Sequence, residues 1–485
     1  MDVVIACDLR FPGGTSTSVV EEIRAGAAAG YRIGVAHLDS STLKTDRPIH
    51  PLILAEFEAG RARLLLPGQT AHARLLVVKH PTVFTRPLGG RLPITADEVV
   101  LVVGQVPLDN DGTLHYEPAA VDAHLVAAVG RRATWAPVSP VVRSRLQHAA
   151  DAAQILLAPD DWVEIIDPAP WRVERTSPVD PERMVLGRHS RPSRLKWPAD
   201  PAELLAAYPD DASVRVRVMG GIDGVADVLG REPQHWEVLP FGAMPAREFL
   251  SGIDVFVYFH HPALVEAFGR TILEALAAGA VVVLPPHFEA IFGPAARYAE
   301  PAGVPALVDE LHRDAEARTR QIRLGLDELE RRFSHRAHAA RLAELIGPPD
   351  PAAPAPLPPP DAQLIPPHQR DQLPTVMVVA FGVSHRRLRR AIKALAAQRA
   401  RTGGFVPVVV TTSRPPRMAH ALGVQVETIQ NRWDWDGAPD QWPEYAARRL
   451  RVIARRHRAT TVTPLDLEHP DAWIALRARP PGPPA

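Results

Sequence analysis

Short apolar runs recur along the first 300 residues, each followed by a polar or glycine-bearing loop and then by a stretch with helical spacing. Asp2 to Cys7, Arg74–Lys79, Glu98–Val103 and Trp162–Ile166 are such runs in the first part. Met184–Leu186, Val214–Val218, Trp236–Leu239, Val255–Tyr258 and Val281–Leu284 are such runs in the second. Runs that are apolar on both faces predict strands buried on both sides of a parallel sheet. Helical stretches between them, such as SVVEEIRAGAAAGY and TILEALAAGA, predict strand–helix–strand units. The expected fold class is therefore α/β, with two Rossmann-like domains and a small C-terminal α/β module.

Pro, Ser and Asp at Pro178–Pro181 mark one boundary. Residues 347–374 are so rich in Pro that neither helix nor sheet is expected, only an extended spacer. The expected domains are 1–178, 181–346 and 375–485, with 347–374 as linker. The last module alternates strands at Thr375–Phe381, Phe405–Thr411, Val424–Ile429 and Thr460–Thr463 with helices at Ser384–Arg401, Pro415–Leu422 and Tyr445–His457. Its Arg-rich helix Ser384–Arg401 reads as a solvated face, with an acidic partner as the alternative. An Asp-x-Asp at Asp434–Asp436 reads as a surface loop rather than a metal site.

The densest chemistry lies in YFHHPALVEAFGRTILEALAAGAVVVLP, Tyr258 to Pro285. Glu266 falls in the loop after a strand, and Glu274 one turn inside the next helix. Gly269 at the junction permits close backbone approach. The N–H groups of Gly269, Arg270 and Thr271 then face out of the helix start, where an anion is favoured. Two hydroxyl acceptors flanking an anion seat suit a sugar phosphate.

The stretch EAFGRTILEALAAG resembles the donor-site signature of retaining glycosyltransferases of the GT-B fold, family 4 type. The resemblance implies that Glu266 meets the transferred sugar and Glu274 the nucleotide ribose, with Phe268, Gly269, Arg270 and Thr271 lining the site. A second shared motif, Gly-Arg followed by Lys, places Arg188 and Lys196 on the donor's diphosphate, with Arg191 and Arg194 competing because the loop is longer than the family's. Fixed cations of this kind stabilise a leaving diphosphate without a metal. In the resembled family a glycine loop after the first strand, here Gly13 and Gly14, faces the interdomain cleft and the donor's phosphate. It lacks a full GxGxxG, so no dinucleotide is indicated. His80 ends a strand where ligands bind in open sheets, and the family implies a His there facing sugar or acceptor. Phe241, after Trp236–Leu239, lies where the family contacts the base. The segment PPHFEAIFGPAARYAEP departs from the family pattern, with Glu289 as the remaining acidic candidate. The terminal helix near Phe333–Leu345 is expected to pack back on the first domain.

Composition narrows the partners. Lys and Arg number 55, as do Asp and Glu, so global charge does not point to nucleic acid. One cysteine, Cys7, excludes an intrachain disulfide and fits a reducing compartment as a core thiol. No apolar run approaches a membrane span, and MDVVIACDLRF lacks a basic leader, so a cytoplasmic protein is expected. Peripheral membrane contact stays open. Asp109, Asn110 and Asp111 lack the Glu of an EF-hand and read as a polar cleft loop. The expected activity is transfer of a sugar from a nucleotide diphosphate sugar to a saccharide, lipid or small-molecule acceptor, with retained configuration and no cofactor. A phosphorylase or epimerase on the same fold, or a non-catalytic binding or scaffold protein, are the alternatives.

Overall fold

The computed structural model describes residues 1–43, 49–65, 69–149, 155–175, 177–350, 374–402, 405–416, 418–432 and 441–465. Most of the 347–374 segment and the whole of Asp434–Asp436 lie outside the described residues.

The first sheet has seven strands: β1 (Val3–Cys7), β2 (Ile33–His37), β3 (Arg63–Leu65), β4 (Ala71–Lys79), β5 (Ile94–Val103), β6 (Thr134–Pro137) and β7 (Leu156–Leu157). All pair in parallel, in the order β3-β2-β1-β4-β5-β6-β7. The second sheet has six: β8 (Val185–His189), β9 (Arg215–Met219), β10 (Trp236–Leu239), β11 (Val255–Val257), β12 (Val281–Leu284) and β13 (Arg297–Tyr298). They are parallel in the order β10-β9-β8-β11-β12-β13. Both are Rossmann-like, and each reverses its strand order once, between β1 and β4 and between β8 and β11. Ligands in open parallel sheets bind at the carboxyl ends of strands beside such a reversal.

The apolar runs become strands for the reason their pattern implies. Val3, Val4, Ile5, Ala6 and Cys7 are all buried, as are Val281 to Leu284, since helices cover both sheet faces. Two expectations fail locally. Trp162–Ile166 is not a strand of the sheet; Ile166 makes only an isolated bridge to Ser334. Its side chains are apolar because Trp162, Ile165 and Ile166 pack inward beneath the terminal helix. Helix Gly14–Ala28 begins directly at the glycine pair, without the longer loop expected.

That first helix carries a surprise. Glu21 and Glu22 are buried, although adjacent acids in a helix usually face water. Glu22 Oε1 accepts from Lys79 Nζ at 2.6 Å and from Trp162 Nε1 at 2.8 Å, and Lys79 also donates to Ser18 Oγ at 2.8 Å. Glu21 Oε2 lies 2.7 Å from His335 Nε2 and accepts from the Asp167 N–H at 2.9 Å. Both acids thus tie the terminal helix, His335–Ile346, and the segment before the second sheet to the first domain. Tyr31 donates to the Gly347 carbonyl at 3.0 Å at the far end. The terminal helix packs back on the first domain as expected.

The third sheet is β14 (Thr375–Ala380), β15 (Val406–Thr411), β16 (Gln425–Thr428) and β17 (Ala459–Pro464), parallel in the order β16-β15-β14-β17. Helix His385–Thr402 covers one face through Leu388, Ile392 and Leu395. Helix Trp442–Arg456 covers the other through Tyr445, Ala446 and Ile453. The chain forms two compact units. One holds both large sheets, in Met1–Asp8, Pro12–Thr42 and Arg61–Ala355; the other holds Leu9–Phe11, Leu43–Gly60 and Pro356–Ala485. The excursion between β2 and β3 therefore belongs with the C-terminal module. Glu58 in it pairs with Arg449 at 3.5 Å and Arg456 at 3.2 Å. Nothing in the local sequence signals that allegiance.

Candidate active site

The site is built at the reversal of the second sheet. β8 ends in Arg188 and His189, and β11 runs into Tyr258. The loop after β11 carries Glu266 and closes on Gly269, the N-cap of helix Arg270–Ala277. Gly269 has φ +93°, a left-handed backbone that other residues resist, and an added Cβ would stand 2.6 Å from Ile272 Cδ1. The N–H groups of Gly269, Arg270 and Thr271 have no acceptor among the described residues, so the helix start remains open to an anion.

Two predicted residues, Lys196 and Glu266, converge here. Lys196 Nζ forms a short ion pair with Glu266 Oε2. Between them stands Tyr258, which accepts from Lys196 Nζ at 2.9 Å and donates to Glu266 Oε2 at 2.5 Å. Burial alone would raise the Glu266 carboxyl; the Lys196 charge and the two hydrogen bonds outweigh it and hold the group below its ordinary range. Burial, with Glu266 alongside, pushes the Tyr258 hydroxyl well above its usual value, so it stays a donor.

Arg188 is placed differently from its expected role. Its side chain is wholly enclosed, with the guanidinium carbon 4.1 Å from the Trp197 ring centre, 5.0 Å from Tyr258 and 5.6 Å from Tyr208. Nη1 donates to the Phe259 carbonyl at 3.0 Å and to Tyr208 Oη at 3.1 Å. Nε and Nη2 are buried without a partner. Aromatic faces offset the cost of burying this charge. Arg188 is therefore a cation beneath Tyr258 rather than an exposed hand for a ligand.

Glu274 points into the same unit. Its Oε2 lies 3.3 Å from His189 Nε2 and its Oε1 3.9 Å from Arg270 Nε. Burial pushes its carboxyl up to about 7; Arg270 opposes the shift and Glu21 adds to it. Burial and the neighbouring Arg188 charge push His189 down to about 4. Near neutral pH, Glu274 is thus poised between its two protonation states beside a neutral imidazole.

The first domain meets this site directly. Ser139, at the N-cap after β6, donates to the Ala267 carbonyl at 2.5 Å, and Asn110 donates to the Pro262 carbonyl at 2.8 Å. Both brace the loop that carries Glu266. Arg270 Nη1 donates to the Ile165 carbonyl at 3.1 Å and lies 3.4 Å from Glu164. A Cβ on Gly13 would stand 3.5 Å from Arg191 Nε, so the glycine loop after β1 faces the β8 loop. Gly14 meets no close atom. Arg191 is the competing cation nearest that loop, while Arg194 points aside to Asp227 at 3.8 Å.

His80 follows β4 at the reversal of the first sheet, with φ +79°, a strained backbone for a non-glycine residue. Its Nδ1 lies 2.7 Å from Thr82 Oγ1, and burial, with His115 nearby, pushes it down to about 4. Two expected contributors stand elsewhere. Phe268 is buried against Phe292 and Phe333 at ring distances of 5.4 and 5.8 Å, so its side chain is core, because the loop needs an apolar anchor beside Glu266. Phe241 is 48% exposed beyond β10 and takes part in no ring contact among the described residues. Thr271 lies in the first helical turn, half-buried.

Residue types alone did not single out Tyr258, Ser139 or His189, and read Asn110 only as part of a polar cleft loop. Tyr258 could have been noted as a polar tip at the end of a buried strand. The others act through partners more than a hundred residues away, or across a sheet, and leave no local trace.

No family model matches the chain, and no curated protein matches it. Among solved structures, HepE of Anabaena, determined in complex with UDP and glucose, aligns with 71% of this chain and 98% of its own at 16% identity and a TM-score of 0.46. OtsA, in an apo structure, covers 71% and 99% at 11% identity and 0.46. A glycosyltransferase from Rickettsia africae covers 71% and 98% at 11% identity and 0.44. These likenesses assign no residue a role.

Proposed function

We propose that this protein is a glycosyltransferase of the GT-B type, moving a sugar from a nucleotide diphosphate sugar to an acceptor hydroxyl with retained anomeric configuration. The observation that carries the reading is the Lys196–Tyr258–Glu266 cluster, set at the strand reversal beside an open helix start. Glu266 accepts hydroxyl hydrogens of the transferred sugar, and Glu274 accepts those of the ribose. The bond from the anomeric carbon to the diphosphate breaks as the acceptor oxygen attacks from the face the diphosphate leaves, and the acceptor's hydroxyl proton passes to an oxygen of the departing diphosphate. Negative charge develops on the diphosphate, and Lys196 and the N–H groups of Gly269 to Thr271 meet it, so the chemistry requires no metal. Arg188 adds positive potential from beneath Tyr258, without touching the ligand. His80 faces the sugar or acceptor from the first domain, and the Gly13–Gly14 loop faces the donor's phosphate. The motif resemblance supports both the donor class and retention.

Positioning does most of the work in such a site. Lys196 is engaged by Glu266, so donor binding exchanges that pair for a phosphate and a sugar hydroxyl. The test is incubation with a panel of nucleotide sugars, following release of nucleoside diphosphate and the anomeric coupling of the product by proton NMR. Release with a product of unchanged configuration is expected. An inverted product would overturn retention, and nucleotide binding with no transfer to any hydroxyl would overturn the enzyme reading.

A further inference from the structure

The chain is neutral as a whole, yet its charge is unevenly spread. Residues 374–465 contain 16 Lys and Arg against 5 Asp and Glu. The excess concentrates in one element. Helix His385–Thr402 holds Arg386, Arg387, Arg389, Arg390, Lys393, Arg399 and Arg401, and no acid. Its Leu388, Ile392 and Leu395 are buried in the module's own core, which turns the opposite face to solvent. There His385, Arg386, Arg389, Arg390 and Lys393 line an open concavity of about 350 Å³. All five are exposed.

These side chains differ from the protein's other cations. Arginines elsewhere are commonly paired, as Arg32 is with Asp2, Arg143 with Asp161, Arg217 with Glu237 and Arg456 with Glu427. Arg386, Arg387, Arg389, Arg390 and Lys393 have no acidic partner among the described residues. Unpaired like charges at i, i+3 and i+4 repel and destabilise the helix that carries them. A face of that kind is relieved by an anionic partner.

We propose that this face docks the C-terminal module on an anionic membrane surface. Four cations, Arg386, Arg389, Arg390 and Lys393, lie along one strip about 10 Å long at the helical rise, which suits a plane of headgroup charges. The strip carries no aromatic side chain on which bases could stack, which argues against a single-stranded nucleic acid. It also carries no exposed apolar side chain to insert between acyl chains, so the attachment is electrostatic and salt-reversible. No helix among the described residues is long and apolar enough to cross a membrane. The inference is independent of the proposed sugar transfer.

The test is co-sedimentation of the full chain with vesicles of phosphatidylcholine alone and of phosphatidylcholine mixed with phosphatidylglycerol, at low and high salt. Binding to the mixed vesicles only, lost at high salt, is expected. The variant carrying Arg386→Gln, Arg389→Gln, Arg390→Gln and Lys393→Gln should bind them roughly 100-fold more weakly or worse. A control with Arg313→Gln, Arg320→Gln, Arg323→Gln and Arg336→Gln, which removes equal charge from the other compact unit, should bind as the parent does. Thermal melting of both variants checks that they fold. Equal loss in the two variants, binding to neutral vesicles, or tighter binding to duplex DNA than to the mixed vesicles would each overturn the proposal.

Discussion

The hydroxyl of Tyr258 stands between Lys196 and Glu266, accepting from Nζ at 2.9 Å and donating to Oε2 at 2.5 Å. Each of the two charged groups is thereby held in one orientation, and the carboxylate is kept ionised despite its burial. Tyr258→Phe retains the ring over Arg188 and removes only this bridge. Turnover should fall about 10-fold to 100-fold, the worth of a hydrogen bond to a charged group. The sign of the pH effect is fixed. Glu266 is held below its ordinary range, so its charge is present above that value and lost as pH falls. Removing a donor to it raises the value, so the acid limb of the kcat profile should move to higher pH. An unmoved limb in a folded variant would deny Tyr258 this role.

Lys196→Met leaves Glu266 buried without its cation. Urea unfolding should show a loss of about 1–3 kcal/mol, less than for a fully enclosed pair because both side chains keep some solvent contact. Adding Glu266→Gln should restore most of that stability, because no unpaired charge then remains. Activity should be lost in both variants. A double variant no more stable than the single one would mean that the pair is not coupled.

Glu274 makes the opposite contribution. Burial pushes its carboxyl up from 4.5 to about 7, so the folded chain holds this proton more tightly than the unfolded chain does. The stability involved is full below the lower value and is lost as pH rises through the higher one. Glu274→Gln keeps the neutral form at every pH. It should therefore match the parent near pH 4 and exceed it near pH 8, by on the order of 2–3 kcal/mol. The same change should weaken nucleoside diphosphate binding about 10-fold, because a charged acceptor for ribose hydroxyls is gone. Denaturant melts across pH and titration calorimetry read the two effects separately.

Gly220 follows β9 with φ +120°, and a Cβ there would fall 1.7 Å from the Ser190 carbonyl oxygen. No side chain can yield, since the obstacle is backbone. Gly220→Ala should cost several kcal/mol, above the usual range for a point change, and displace the loop between His189 and Lys196. A cooperative melt with an unchanged midpoint would show that the loop moves freely.

Much of this was legible in the residues. Glu266, Gly269 and Glu274 share one short segment, whose spacing around a helix start follows from local geometry. Lys196 was legible because it follows a Gly-Arg pair in the motif the resemblance rests on. The role of Phe268 was misread because an aromatic residue beside a catalytic-looking Glu serves equally well as the anchor of its loop, and only neighbours such as Phe292 and Phe333 decide which. Arg188 was misread in a similar way. A cation at a strand end is expected in solvent, and three rings from distant segments, Trp197, Tyr208 and Tyr258, enclose it instead. The buried acids Glu21 and Glu22 were invisible for the same reason: Lys79, Trp162 and His335 reach them from elsewhere in the chain.

By itself, the sequence determined the alternation of apolar strands and helices, and with it the α/β class, because hydrophobic period and turn residues act over a few positions. It also determined the open helix start after Gly269, which needs no distant partner. Tertiary structure alone decided the strand orders, which put β1 beside β4 and β8 beside β11 and so located both reversals. It alone decided that Tyr258 bridges Lys196 and Glu266, and that helix Pro51–Glu58 folds with the C-terminal module. Those outcomes depend on which surfaces bury one another across long stretches of chain, and that competition is settled by packing the whole molecule rather than by any local pattern.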